Sequence, residues 1–442
     1  MDVVRFFVEL LKLPAIVVGL IALIGLVAQR KRLSEVVTGT LKTTLSLLII
    51  GGGIGVLINA LLPIQTMFEL GIDKNRFDTF VTFDEAVVSA VQNANVGNIG
   101  VLIGWTLLFG YAFHLFLARV TPFRYVYLTG HMIWIHAGAY AILYDSFGLP
   151  SGLTILLASL TFGTYMTLAP AAAQPVMRRI TGSDEVAFGH GQTILNLVAA
   201  GAGRLVGKRS RSTEEMHVPE GLNFFRDIAV STTLVMLVVA FIAALLAVGQ
   251  VGVDGFQKAF AEQIPKGQSW LVFTLLQALG FTAGMLILLF GVRMLIAEIV
   301  PAFHGIAERL IPGAKPALDV PVIFPFAPNA LIVGLISGLI GQIAGMAALV
   351  AIGWPVPIPS MIVAFFASGA GAIFGNATGG RRGAWLGGFL WGFLGWLIIS
   401  YAYHEKIFGD LSGMGAKGLA FTVPDAIVPG IIIHWIAQLF GA

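Results

Sequence analysis

Apolar runs of about 20 residues, each closed by a short polar or basic connection, recur along this chain from end to end. Eleven fall at approximately 10–29, 42–62, 98–118, 126–146, 151–173, 228–250, 271–297, 328–352, 357–378, 384–403 and 424–441. A helix rises 1.5 Å per residue, so roughly 20 apolar residues cross the hydrocarbon core. The pattern predicts an all-α polytopic membrane protein of about eleven transmembrane helices.

Two intervals break the pattern. Pro63–Val96 mixes Asp78, Asp84, Glu85, Gln92, Asn93 and Asn95 with apolar residues, and Gly305–Pro328 carries five prolines around Asp319. Such re-entrant or broken backbone is tolerated at depth only when buried in protein or lining a cavity. Ala187–Leu197 is a third candidate, with an amphipathic helix on the cytoplasmic surface as its alternative.

The two intervals resemble each other. Gly53, Leu57, Ile58 and Pro63 match Gly291, Leu295, Ile296 and Pro301, and Asp78, Val81, Phe83 and Ala86 match Asp319, Val322, Phe324 and Ala327. The spans involved run in opposite directions, so the repeat is inverted, the pattern of transporters with a midplane site. The expected organisation is a single transmembrane domain over 1–442. Its first repeat covers about 10–173, a cytoplasmic segment about 174–227, the second repeat about 228–403 and a final helix about 424–441.

Composition strengthens this picture. The chain is 57% hydrophobic and 11% charged, against roughly 25% charged for a soluble domain. Basic residues follow odd-numbered spans: Arg30–Arg32, Arg119 and Arg124, Arg178–Arg179, Arg204–Arg211, and Arg381–Arg382. Basic residues concentrate on the cytoplasmic side, which places the N-terminus outside and the C-terminus inside. Asp2 and Glu9 balance Arg5 and Lys12, and no small-residue cleavage site follows, so the first apolar run reads as a span and not a signal peptide. No cysteine is present, which excludes thiolate metal sites and a cysteine nucleophile or phosphocysteine on this chain.

Chemistry concentrates in a few polar residues. His131 and His136 lie in LTGHMIWIHAG, where charged groups cost roughly 2.5–3.5 kcal/mol and usually face a cavity or partner. Five residues apart on a helix, they point about 140° from each other, so one faces the cavity, the other a neighbouring helix, and they cannot share a metal. His190 and Gln192 supply donors and acceptors suited to a hydroxylated small molecule. Asp319 can accept hydroxyl hydrogen bonds or carry a proton; its alternative role is a cap on the helix beginning near Val320. The run Gly51–Gly55 has neither a preceding strand nor an adjacent lysine, so it reads as a helix-packing surface, not a nucleotide loop. No cofactor and no nucleic-acid partner is expected. An intramembrane enzyme using His131, His190 and Asp319 lacks a nucleophile at a plausible spacing. An ion- or proton-coupled secondary transporter of a small sugar or organic acid, with Asp319 titrating, is the other reading.

GTLKT (39–43), LTGH (128–131), GHGQ (189–192), GVRM (291–294), RLIPGA (309–314) and FAPNA (326–330) occur in that order. Together they resemble the ascorbate-type IIC components of the bacterial phosphotransferase system across essentially the whole chain. The resemblance implies a homodimeric translocator of a sugar acid or polyol in the bacterial inner membrane, surrounded by lipid. It also implies a substrate phosphorylated by a separate IIB protein supplied by IIA, which leaves this chain a transport subunit and not an enzyme. The family's substrate positions carry over to Thr82 and Phe83, to His131 through Ile135, to His190 and Gly191, and to Asp319; His136 and Gln192 join them as candidate substrate-binding residues. Two positions depart. Ile135 and Gly191 stand where the ascorbate pattern has glutamine, which removes two amide partners.

Overall fold

A computed structural model describes residues 14–71, 78–94, 96–207, 210–215, 228–265, 267–309 and 311–439. Asp2, Arg5, Glu9, Lys12, Asn95, Lys208 and Arg209 lie outside the described residues. The chain begins with α1 (Pro14–Ala28) and α2 (Leu33–Leu70), followed by β1 (Thr79–Thr82), α3 (Asp84–Ala94) and α4 (Ile99–Val120). Next come β2 (Tyr125–Tyr127), α5 (Gly130–Asp145), α6 (Ser151–Thr181), β3 (Ala187–Phe188) and α7 (Thr193–Val206). The second half runs α8 (Ile228–Ala259), α9 (Trp270–Arg309), β4 (Lys315–Leu318) and α10 (Pro328–Ile352), then β5 (Val356–Pro357), α11 (Gly369–His404), β6 (Leu419–Ala420) and α12 (Pro424–Leu439).

The protein is an all-α polytopic membrane protein: among the described residues, seven helical segments are long and apolar enough to cross a bilayer. One of them, Val363–His404, reverses direction at Gly380, whose φ of 58° and ψ of −148° break the helix. A Cβ added at Gly387 would stand 2.5 Å from the carbonyl oxygen of Gly371. Residues sixteen apart in a straight helix would be about 24 Å apart, so this contact requires two antiparallel arms. The arms correspond to the apolar runs 357–378 and 384–403.

Close helix approach also joins the two halves. A Cβ at Gly53 would meet the Leu288 amide nitrogen at 2.6 Å, and one at Gly284 would meet that of Leu57 at 2.6 Å. These reciprocal contacts fix α2 and α9 as an antiparallel pair, the small-residue packing that membrane helices use where no hydrophobic drive exists between them. Gly53 alone of the Gly51–Gly55 run packs in this way; Gly51, Gly52 and Gly55 have open space beside them.

Where helices break, strands satisfy the freed backbone. Two three-stranded parallel sheets form, β5-β1-β6 and β2-β4-β3. In the first, Thr79 pairs with Val356 and Thr82 with Ala420; in the second, Tyr127 and Ala187 both pair with Ala317. Each central strand comes from one half of the chain and both its neighbours from the other. The six strands meet the requirement that buried N–H and C=O groups be paired, at the two places where no helix can pair them. Asp319 is the first residue after β4 and Asp84 the second after β1, so the strand register matches Asp319 with Phe83, with Asp84 one residue on, and leaves Asp78 exposed ahead of its strand.

The segment at 187–197 is no surface helix. Ala187, Phe188, His190, Gln192, Leu195 and Asn196 are all buried, and α7 packs against both arms of the 363–404 hairpin.

Candidate functional site

Parallel strands end at one edge, so the residues that follow β2, β3 and β4 converge. Leu128 N–H donates to the Ala317 carbonyl (3.0 Å) and Gly189 N–H to that of Leu318 (2.7 Å), which extends the sheet by one residue on each side. The Thr129 hydroxyl then donates to the Gly189 carbonyl (2.5 Å) and ties the two flanking strands across the centre. Just beyond, His131 Nδ1 lies 3.8 Å from Asp319 Oδ2, and His190 Nε2 lies 3.7 Å from Asp319 Oδ1. The two imidazoles are 5.7 Å apart between ring centres. Three residues widely separated in sequence form one cluster.

Asp319 caps a turn and also belongs to this cluster. Its Oδ1 accepts from the Val320 N–H at 2.6 Å, opening the 3-10 turn Val320–Phe326, while the carboxylate also faces both histidines. A cavity of about 520 Å³ opens beside it, within the usual range for small-molecule sites. Thr129, His131 and Asp319 form its polar wall, and Val18, Leu47 and Leu295 belong to its apolar one. Gly51 and Gly52 also line it, so the glycine run serves the cavity as well as helix packing.

The other expected residues are placed differently. His136 points away from His131, fully buried, with Nδ1 2.8 Å from the Met132 carbonyl and its ring stacked on Tyr165 at 4.4 Å. Ile135 is fully buried in the hydrophobic core. Gly191 has no room for a side chain: a Cβ there would stand 2.8 Å from both the His136 ring and the Val423 side chain. Gln192 is buried and its Oε1 has no protein partner. Thr82 and Phe83 sit at the end of β1 in the other sheet, Thr82 buried and Phe83 43% exposed, and neither lines the cavity.

His131, His190 and Asp319 also form a group able to hold a metal ion, with one donor atom from each within 4.8 Å of the others. His136 is not part of that group; its Nδ1 lies against the Met132 carbonyl. The two histidine-to-Asp319 distances, 3.8 and 3.7 Å, are longer than the roughly 3.3 Å implied by tetrahedral Zn–N bonds of about 2.0–2.1 Å.

At the far end of the sheet, where the chain enters β3 and β4, an ion-pair cluster ties the strands. Asp184 meets Arg178 Nε at 2.8 Å and Lys315 Nζ at 2.5 Å, and Gln174 donates to it at 2.8 Å. Burial pushes the Asp184 carboxyl up, but hydrogen bonds from Arg178, Lys315 and Gln174 outweigh this and hold it well below the usual carboxylate range.

Two carboxylates emerge as structural parts of the site that the sequence left unassigned. Asp84, inside the first broken interval, accepts from the Thr422 N–H (2.7 Å), the Val423 N–H (3.3 Å) and the Thr422 hydroxyl. Asp425 accepts from the Thr193 N–H (2.7 Å), the Ile194 N–H (2.8 Å) and the Tyr165 hydroxyl (3.0 Å). The available signal was an acid at the start of an apolar helix, which reads from sequence as that helix's own cap. Thr422 and His190 occupy matching places, each two residues past its strand, β6 or β3. Asp84 is closed by a protein hydroxyl; among the described residues none closes Asp319.

A family model for the sugar-specific permease component of the phosphotransferase system, EIIC-GAT, matches residues 9–425. The ascorbate-specific EIIC component of the phosphotransferase system from Mycoplasma pneumoniae is 27% identical over 438 aligned positions, which cover 89% of this chain and 65% of that protein. The chain thus spans just under two thirds of that relative's length.

Proposed function

Since the chain belongs to the phosphotransferase-system family of sugar-specific permease components, we propose that it carries L-ascorbate or a related small sugar acid or polyol across the bacterial inner membrane. One observation supports this most: the Asp319 carboxylate stands with Thr129 and His131 on the wall of a mostly apolar cavity, and the buried His190 imidazole reaches it from behind that wall. A carboxylate accepts hydroxyl hydrogen bonds and neutral imidazole both donates and accepts, which suits a compact polyhydroxylated substrate. His131, His190 and Asp319 bind it directly, with Gln192 beside them. Ile135, His136 and Gly191 shape the wall behind. Thr82 and Phe83 complete the site from the other sheet when the core moves during transport. The missing amides at Ile135 and Gly191 shift the preference away from strict ascorbate selectivity, and packing at Gly191 enforces that difference.

In this reading a separate IIB chain phosphorylates the substrate at the inner face, IIA supplies that chain, and the permease works as a homodimer in lipid. The test is uptake of labelled L-ascorbate, other sugar acids and polyols into vesicles, with and without phosphorylated IIB. Accumulation only with IIB supports the proposal. Uphill uptake without any partner, abolished by an uncoupler, would establish proton coupling through Asp319 instead. The orientation, with the C-terminus inside, is tested by single cysteines in this cysteine-free background. Glu215→Cys and Asp254→Cys, both exposed, should label from opposite faces; labelling from one face overturns it.

A further inference from the structure

The cluster of His131, His190 and Asp319 works only if His190 is held at its edge. His190 lies in a loop, two residues past β3, and its own strand fixes only the backbone as far as Gly189. Beyond it the Gln192 N–H donates to the His190 carbonyl (2.8 Å), and further support comes from Tyr165 on α6 and from the start of α12, more than 230 residues away. The Asp425 N–H donates to the Gly191 carbonyl (3.3 Å), and the Asp425 carboxylate receives the Thr193 and Ile194 amides. The Tyr165 hydroxyl lies 3.0 Å from Asp425 Oδ2 and 3.2 Å from the His190 carbonyl, within reach of both. The Tyr140 hydroxyl anchors the Asp425 carbonyl at 2.9 Å.

Asp425 is thus the cap that α7 lacks in its own sequence. Gln192, at the N-cap position, makes no side-chain cap bond. The first amides of a helix need an acceptor, and a carboxylate is favoured there by the helix dipole. Here the acceptor is fully buried and belongs to another helix. Asp84 in turn fixes Thr422 and Val423, the two residues leading into α12. The chain of contacts runs from Asp84 through Thr422 and Asp425 to the loop that carries His190. It joins the first broken segment to the substrate histidine without touching the cavity.

We propose that Asp425 is a positioning residue for His190, acting through the first turn of α7, and that Asp84 sets Asp425. The role rests on the reading above, that His190 contacts substrate. A purely structural cap would lower stability without a specific link to His190, and a double-mutant cycle separates the two. Equilibrium binding of labelled L-ascorbate to the purified full chain is measured for wild type, Asp425→Asn, His190→Ala and the double variant. Asparagine places an amide where a carboxylate oxygen now receives an N–H. Asp425→Asn should therefore weaken binding on the order of tenfold, and should cause no further loss once His190 is alanine. Independent, multiplying losses overturn the proposal.

If Asp425→Asn does not fold, Tyr165→Phe replaces it, with the same non-additivity and a smaller effect of about threefold. A second readout needs no ligand: the rate of diethyl pyrocarbonate modification at each histidine, read by mass spectrometry. Asp425→Asn or Tyr165→Phe should raise the rate at His190 and leave His131 unchanged; an unchanged rate at His190 overturns the proposal. Wild-type protein that binds no ascorbate, while the His190 rate still responds, sinks the substrate assignment and leaves this one standing.

Discussion

Asp319→Asn separates a carboxylate that grips substrate from one that merely begins a helical turn. In the structure Oδ1 accepts the Val320 amide at 2.6 Å and Oδ2 faces His131 at 3.8 Å. Asparagine keeps the first contact with its own carbonyl oxygen, and the two residues cap about equally well, so the loss of fold stability should stay within a few tenths of a kcal/mol. The second oxygen becomes an NH₂ group that cannot accept. A substrate hydroxyl directed there loses a hydrogen bond to a charged acceptor, worth about 1.5–3 kcal/mol. At 1.4 kcal/mol per decade this is roughly a ten- to hundredfold weaker Kd. Calorimetric titration of purified wild type and variant with L-ascorbate, or with whichever sugar acid the uptake panel selects, reads the change directly. Size-exclusion behaviour and thermal midpoint show whether the fold survives. Wild-type affinity in a folded Asp319→Asn protein would refute the reasoning and reduce Asp319 to its capping role.

Two further outcomes follow from the geometry. The Asp184 carboxyl is held low by Arg178, Lys315 and Gln174, so its contribution to stability is present above the ordinary carboxylate range and is lost as pH falls through its folded-state pKa. The stability difference between wild type and Asp184→Asn, followed by thermal unfolding, should be small at pH 7, below about 1 kcal/mol for so exposed an ion pair, and should shrink below about pH 4; a difference that grows on acidification contradicts this. Gly191→Ala should destabilise the protein by about 1–3 kcal/mol, because its Cβ would overlap His136 and Val423, and a thermal midpoint equal to wild type would show that the pocket yields.

Local sequence carries the membrane architecture because spanning is a local property. About 20 apolar residues in a row suffice for a span whatever the rest of the chain does, and a polar residue inside such a run stands out at once. His131, His190 and Asp319 were visible for that reason. The same locality hid other features. Strands of two to four residues in apolar sequence have no periodicity to read, so the two small sheets could not be foreseen. The roles of Asp84 and Asp425 could not be read, because a carboxylate that holds amides more than 230 residues away leaves the same local trace as one that caps its own helix.

Sequence by itself therefore determined a polytopic helical permease, the breaks in its helices and the polar residues at those breaks. Helical spacing also required His131 and His136 to diverge, but not which of them would meet the cavity. Tertiary structure decided that His131 joins His190 and Asp319 while His136 stacks on Tyr165. It also decided that Gly191 is closed in by Val423 and that Asp84, not Asp78, is the acid that follows β1 near the place Asp319 takes after β4. The physical reason is chain path: parallel strands drawn from opposite halves of the chain bring their ends to one edge, and contacts between residues hundreds of positions apart exist only once those strands have paired.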